Sequence, residues 1–175
     1  MRLGNFEIMI PEFIMIIFIS VLFLPLAIYI ILAALVDFFI RNHYIKKRKW
    51  DLNISCGDTD GGGINADIIE RKVKKFVLVN NIYKLPFRNK QFENVLCSHT
   101  IEHVENPDLF YRELRRVSKN VFIVIPPLWD VFSILHFREH KWQFLSLRHI
   151  HMNSIPRRVR LPYCRFQKLF GQRVV

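Results

Sequence analysis

With 175 residues the chain has room for one domain and an appendage, and its 51% hydrophobic content lies at the upper edge of globular usage. The formal charge of +11 is unevenly spread: residues 51–130 hold 11 basic and 11 acidic side chains, while a cluster at residues 41–49 and the tail from Arg138 carry the excess. Basic flanks around a neutral core fit an anionic lipid surface at least as well as a nucleic acid, and three cysteines (Cys56, Cys97, Cys164) without paired spacing argue against a disulfide framework or a cysteine metal site.

Residues 13–36 form a run of 24 positions without a charge. Coiled as a helix the run is about 36 Å long, enough to cross a hydrocarbon core of roughly 30 Å. It is too long for the apolar part of a signal peptide, and no small-residue cleavage site is evident. Pro25 stands mid-span and is expected to kink the helix, a feature tolerated in lipid where Ser20 or a neighbour re-satisfies the freed carbonyl. Residues 13–40 are therefore expected to form one transmembrane helix behind a short extracytoplasmic segment, 1–12. Arg2 is the one basic residue before the span, whereas Arg41, Lys46, Lys47, Arg48 and Lys49 follow in a juxtamembrane linker, 41–50. The positive-inside rule then places the remainder in the cytoplasm, close against the membrane lipids.

Residues 51–127 read as a core of short strands and loops. Leu52, Ile54 and Cys56 begin a strand that Gly57 ends, and residues 58–63 form a loop with several positive-φ positions. Residues 64–69 give a second strand with Asp67 at its end. Residues 76–79 give a third, broken by Asn80-Asn81, and residues 95–97 a fourth. Asn106 is the N-cap of a helix, with Pro107 at its first position and Asp108 in its first turn. Phe110, Leu114 and Val117 share its buried face, and Lys119-Asn120 closes it. Residues 121–125 are continuously apolar up to Pro126-Pro127, as suits a strand covered on both faces. The expected fold class is α/β, a small Rossmann-like parallel sheet flanked by helices and preceded by one transmembrane helix. In such sheets ligands bind beyond the carboxyl ends of the strands. Gly57-Asp58, Asp67, Asn80-Asn81 and Ser98-His99 all fall there.

At these residues the sequence resembles the class I S-adenosylmethionine-dependent methyltransferases, in particular the small type 11 group. The resemblance covers about residues 50–127. Residues 52–57, Leu-Asn-Ile-Ser-Cys-Gly, resemble the family's first motif. Leu85-Pro86-Phe87 followed by Phe92-Glu93-Asn94-Val95 resembles its LPF…FDxV segment. Residues 98–104, Ser-His-Thr-Ile-Glu-His-Val, match its SHxLEHV stretch, and Leu114-Arg115-Arg116-Val117 matches the helix that follows. The resemblance implies S-adenosylmethionine as cofactor. It counts Asn53 among the cofactor-binding residues and places Ser55, Cys56 and Gly57 at the methionine part, Asp67 at the ribose hydroxyls, Asn81 beside the adenine, and Ser98 near the sulfonium. His99 or His103 is then the proton acceptor for the methyl acceptor's nucleophile. The sequence departs from the family at Asn53, where an acid is common, at Ser55 in place of a glycine, and at Asn81 in place of an aspartate. The helix between the first two strands is nearly absent, and Ser118-Lys119-Asn120 replaces a Pro-Gly-Gly turn.

Other readings stand beside this one. Glu102 and His103 serve equally as groups that orient the loop into the helix, and Asp58 and Asp60 as loop residues. His136, His140, His149 and His151 do not make a recognisable ligand pattern, so no metal is expected. Residues 128–175 are read as a basic, aromatic cover, with Phe132, Leu135, Phe137, Trp142 and Phe144 as pocket lid or membrane-facing surface. No nucleic-acid motif is found in the tail, and neither DNA nor RNA is expected as a partner. Two functions follow: a membrane-anchored methyltransferase acting on a lipid, a lipid-linked intermediate or a membrane protein, or an inactive methyltransferase fold serving as a membrane-attached binding or scaffold subunit.

Overall fold

In the computed structural model, residues 9–47, 50–130, 133 and 139–162 are described. The first element is a single helix, α1 (Met9–Lys47), 39 residues long with Pro25 inside it. Its stretch Ile14–Tyr44 is long and apolar enough to cross a membrane. Side chains from Ile14 to Tyr29 are exposed on every face. Further on, Ala33 is buried while Ile30, Asp37 and Ile40 are partly so. Those four positions recur at helical spacing and form the stripe by which α1 rests on the rest of the chain.

The domain behind it is built on a six-stranded sheet. Its strands are β1 (Trp50–Ile54), β2 (Gly62–Asp67), β3 (Phe76–Leu78), β4 (Phe92–Ser98), β5 (Ser118–Val124) and β7 (Ile150–Met152), in the order β3-β2-β1-β4-β5-β7. The first five are parallel; β7 runs antiparallel along β5. Strands β6 (Trp142–Phe144) and β8 (Arg158–Arg160) make a separate two-stranded antiparallel sheet. The chain order reverses between β1 and β4, so the crevice at their carboxyl ends is the topological switch point of the sheet.

Alternation along the strands divides the core. Leu52, Ile54, Val95, Cys97, Val121 and Ile123 pack with Phe110, Leu114 and Val117 of helix α2 (Pro107–Val117). Leu96, Phe122 and Val124 turn to the other face with Trp50. Helix α2 starts as its sequence dictates: the Asn106 side chain accepts from the Leu109 amide at 3.0 Å. It ends at Val117, short of Lys119-Asn120, because Ser118 turns extended and residues 118–120 pair with β4 instead. The Ser118 hydroxyl donates to the Leu114 carbonyl at 2.7 Å and completes that end.

One connection is unusual. Parallel neighbours ordinarily need a crossover of a dozen residues or more, yet β1 and β2 are joined by residues 55–61 alone. Ser55 turns the chain out of β1 at φ 55°, which leaves Cys56 outside the strand. The return segment then lies on a polar pair, Asn53 and Asn65. Asn53 donates to the Thr59 carbonyl at 3.0 Å, and the Gly61 amide donates to Asn65 Oδ1 at 2.9 Å. A Cβ at Gly61 would stand 2.7 Å from Asn53 Cβ, so only glycine lets the strand and its return approach this closely. This segment stands where a crossover helix is otherwise found.

Of the expected cover, Trp142 and Phe144 lie in β6. Phe132, Leu135, His136, Phe137 and Cys164 lie outside the described residues.

Candidate active site

The carboxyl ends of the parallel strands bring together most of the residues expected there. Asp67 closes β2, is 7% exposed, and one of its oxygens accepts from the Gly57 amide at 3.0 Å. The other accepts from the Ile69 amide at 3.2 Å, and Arg71 Nε stands 3.7 Å from the carboxylate. Gly57 holds φ 53°, and a Cβ built on it meets no heavy atom within 4 Å. The glycine loop thus presents open space beside a fixed acceptor. Cys56 is buried next to it; desolvation, with the charge of Asp67, pushes its thiol up to about 11, so it remains protonated and inert at neutral pH.

Asn53 is 3% exposed and its amide is spent on Thr59 and Asn65, beneath the loop. Asn81 sits beyond β3, exposed, and its side chain accepts from the Tyr83 amide at 2.8 Å. Ser55 and Ser98 are partly buried at the ends of β1 and β4.

His99 leaves β4 in the left-handed region, φ 49°, with its amide held by the Val124 carbonyl at 2.9 Å. Non-glycine residues in that region cluster at functional sites. Two carboxylates flank its ring: Glu102 Oε1 lies 3.5 Å from Nδ1, and Asp37 Oδ1, from α1, lies 3.6 Å from Nε2. Asp37 Oδ1 is also 3.3 Å from His149 Nδ1.

Glu102 is fully buried. Burial alone would raise its carboxyl, but the His99 ring 3.5 Å away and the nearby rings of His103 and His140 outweigh it and hold it down at about 2. The loop carrying it is clamped from the far side of the chain, since the amides of Lys141 and Trp142 both donate to the Glu102 carbonyl, at 2.9 and 3.1 Å. His103 faces this segment too, with Nδ1 2.9 Å from the Glu139 carbonyl.

Sequence reasoning missed Asp37, and it set His140 and His149 aside. The one available signal was the charge of Asp37 at the end of an otherwise uncharged run. A groove of about 490 Å³ opens at the opposite, amino-terminal edge of the sheet. There Asp51 accepts from the amides of Glu93 and Asn94, and Lys119 pairs with Glu93, tying the strand starts together.

Residues 52–124 match the family described as "Methyltransferase domain", type 11. Among solved structures the chain is similar to the PH0226 protein of Pyrococcus horikoshii OT3, with 20% identity, TM-score 0.38, and 52% of this chain covering 57% of that one. It is similar to the YcgJ protein of Bacillus subtilis, with 17% identity, TM-score 0.42, and 58% of each chain covered. A third is a SAM-dependent methyltransferase of Thermotoga maritima, with 16% identity, TM-score 0.45, and 56% of this chain covering 57% of that one. The chain spans less than two thirds of the length of each. No curated protein sequence matches it. Residues 52–124, from β1 to the end of β5, are therefore the part of the chain that is similar to the type 11 methyltransferase domain.

Proposed function

We propose that the protein is a membrane-anchored, S-adenosylmethionine-dependent methyltransferase whose domain lies on the cytoplasmic face and acts on a lipid, a lipid-linked intermediate or a membrane protein. The observation that carries the reading is the pairing of the Gly57 amide with the buried Asp67 carboxylate beside open space at the carboxyl ends of β1 and β2. Each Asp67 oxygen accepts one backbone amide and keeps acceptor capacity for a ribose hydroxyl. These residues fit an adenosyl cofactor: Ser55 to Gly57 would line its amino-acid part, Asp67 its ribose, Asn81 its adenine, and Ser98 its reactive end. The cofactor supplies an electrophilic methyl group on a sulfonium. The chain's contribution is to bind, to align the acceptor, and to take its proton at His99.

Membrane attachment is supported by the exposed apolar length of α1 and by the basic cluster after it. A second feature points the same way. The Tyr29 hydroxyl of α1 donates to the Trp129 carbonyl, and Leu128 and Leu147, 42% and 71% exposed, stand on the two segments joined by the bond from Trp129 Nε1 to the Leu147 carbonyl. Large apolar side chains beside an apolar helix suit the headgroup boundary.

Calorimetric titration of the detergent-solubilised full chain with S-adenosylmethionine tests the reading. Saturable binding, weakened about 30-fold by Asp67→Ala through loss of charge-assisted hydrogen bonds, is expected. No heat at millimolar cofactor would leave only the binding or scaffold role.

A further inference from the structure

We propose that Glu102, His103 and His140 form a binding site for a divalent first-row transition-metal ion of the zinc type. Their ligand atoms lie within 4.8 Å of one another, and the rings of His103 and His140 meet edge to face at 4.8 Å between centroids. A histidine pair with one carboxylate is a donor set that zinc and its neighbours take, leaving further positions open.

The rings are oriented as ligands are. His103 Nδ1 stands 2.9 Å from the Glu139 carbonyl, and His140 Nδ1 stands 2.6 Å from the Ser133 carbonyl. A carbonyl only accepts, so the Nδ1 of each ring carries a proton; in the neutral tautomer this leaves Nε2 as the ligand atom. A backbone carbonyl on the remote nitrogen is the usual means of fixing a metal-binding tautomer.

The carboxylate is the second, independent observation. Glu102 is fully buried, yet neither oxygen receives a hydrogen bond of ordinary length. The nearest ring nitrogens to Oε1 are His99 Nδ1 at 3.5 Å and His103 Nε2 at 4.0 Å. A buried carboxylate facing the lone pair of a neutral imidazole is repulsive unless something positive stands between them. A divalent cation meets that need and uses both lone pairs. Bonds of about 2.1 Å around a tetrahedral ion bring ligand atoms to about 3.4 Å apart, a contraction of roughly an ångström that side-chain rotation supplies. The anchorage is firm, because the amides of Lys141 and Trp142 clamp the Glu102 carbonyl and His140 is the residue just before them.

The test uses the full chain in detergent, with any affinity tag removed and the protein stripped by chelator and dialysed. It is titrated with Co²⁺, followed by visible absorption, and then with Zn²⁺ in competition. One equivalent is expected to bind, with the ligand-field bands of a nitrogen and oxygen site. Glu102→Gln and His140→Ala should each weaken binding at least tenfold, while His43→Ala, on the exposed side of α1, leaves it unchanged. His103→Ala, a partly exposed position, serves if the buried Glu102 variant fails to fold, with circular dichroism as the check. Absence of stoichiometric binding overturns the proposal and leaves a protonated His103 as the counter-charge. So does binding that survives loss of Glu102, His103 or His140 in a folded variant.

Discussion

The Asp37 carboxylate of α1 stands 3.6 Å from His99 Nε2, on the ring whose other nitrogen faces the buried Glu102. The helix that resembles an anchor thus reaches the end of β4 with a charge. It fixes His99 from outside the domain, and it meets His149 with the same oxygen.

Replacing Asp37 with Asn should therefore act on turnover rather than on cofactor affinity. We expect incorporation of labelled methyl groups into a membrane fraction to fall roughly 10- to 100-fold, as for a displaced proton acceptor. Calorimetric affinity for the cofactor should stay the same. His99→Asn should cost roughly 100-fold or more. Unchanged turnover in the Asp37 variant would show the contact to be structural only.

Gly57 and Gly61 should respond differently to alanine. Gly57→Ala meets open space and pays only for a left-handed backbone, about 1 to 2 kcal/mol. Gly61→Ala drives a methyl group against Asn53 and should cost more, with loss of the β1–β2 return. Urea unfolding of the two variants in one detergent gives the comparison, and equal costs would contradict it.

Glu113 joins α2 to the loop before β4. Its Oε1 accepts from the Leu85 amide at 2.6 Å and from Arg116 at 2.7 Å, and Arg116 also donates to the carbonyls of Leu85 and Phe87. Burial pushes its carboxyl up, but the Arg116 and Leu85 bonds win and hold it below the ordinary range. A depressed folded value stabilises the protein fully above about pH 4.5 and is lost as pH falls through that lower value. Glu113→Gln should cost about 1 to 3 kcal/mol near neutrality, and its stability should decline less steeply in acid. Unfolding midpoints measured at pH 7 and below pH 4.5 decide this, and parallel declines would refute it.

Leu128→Asp and Leu147→Asp put charge where an apolar surface meets α1. Flotation of the full chain with anionic vesicles should persist, because α1 is untouched. Methyl transfer to a vesicle-borne acceptor should drop several-fold, as the domain no longer settles at the headgroups. Cofactor affinity should not move.

Much of the fold was legible because its signals are local. Asn106-Pro107-Asp108 announces a helix start by itself, and the uninterrupted apolar run through Ile123 announces a strand covered twice. The end of α2 was misjudged because residues 118–120 answer to β4, a partner some twenty-five positions away. Residues 58–61 were read correctly as irregular, but Gly62 and Gly63 belong to β2 and only Gly62 of the expected loop has a positive φ. The passage along Asn53 and Asn65 depends on side-chain pairing that no periodicity encodes. In the site, Asp67, Gly57, Ser98 and His99 were marked by their place at strand ends. His140 and Asp37 were not, since each reaches its partners from a segment distant in the chain.

The brevity of the return between β1 and β2 also bears on how the domain assembles. Trp50 pairs with Gly62, twelve positions on, whereas Leu52 must find Val95 across more than forty. Closing so small a loop forfeits little chain entropy, and short-range pairings of this kind can form before distant ones. The edge that carries Gly57 and Asp67 is therefore in a position to take shape first, leaving β4, and with it His99, to join it as the later event.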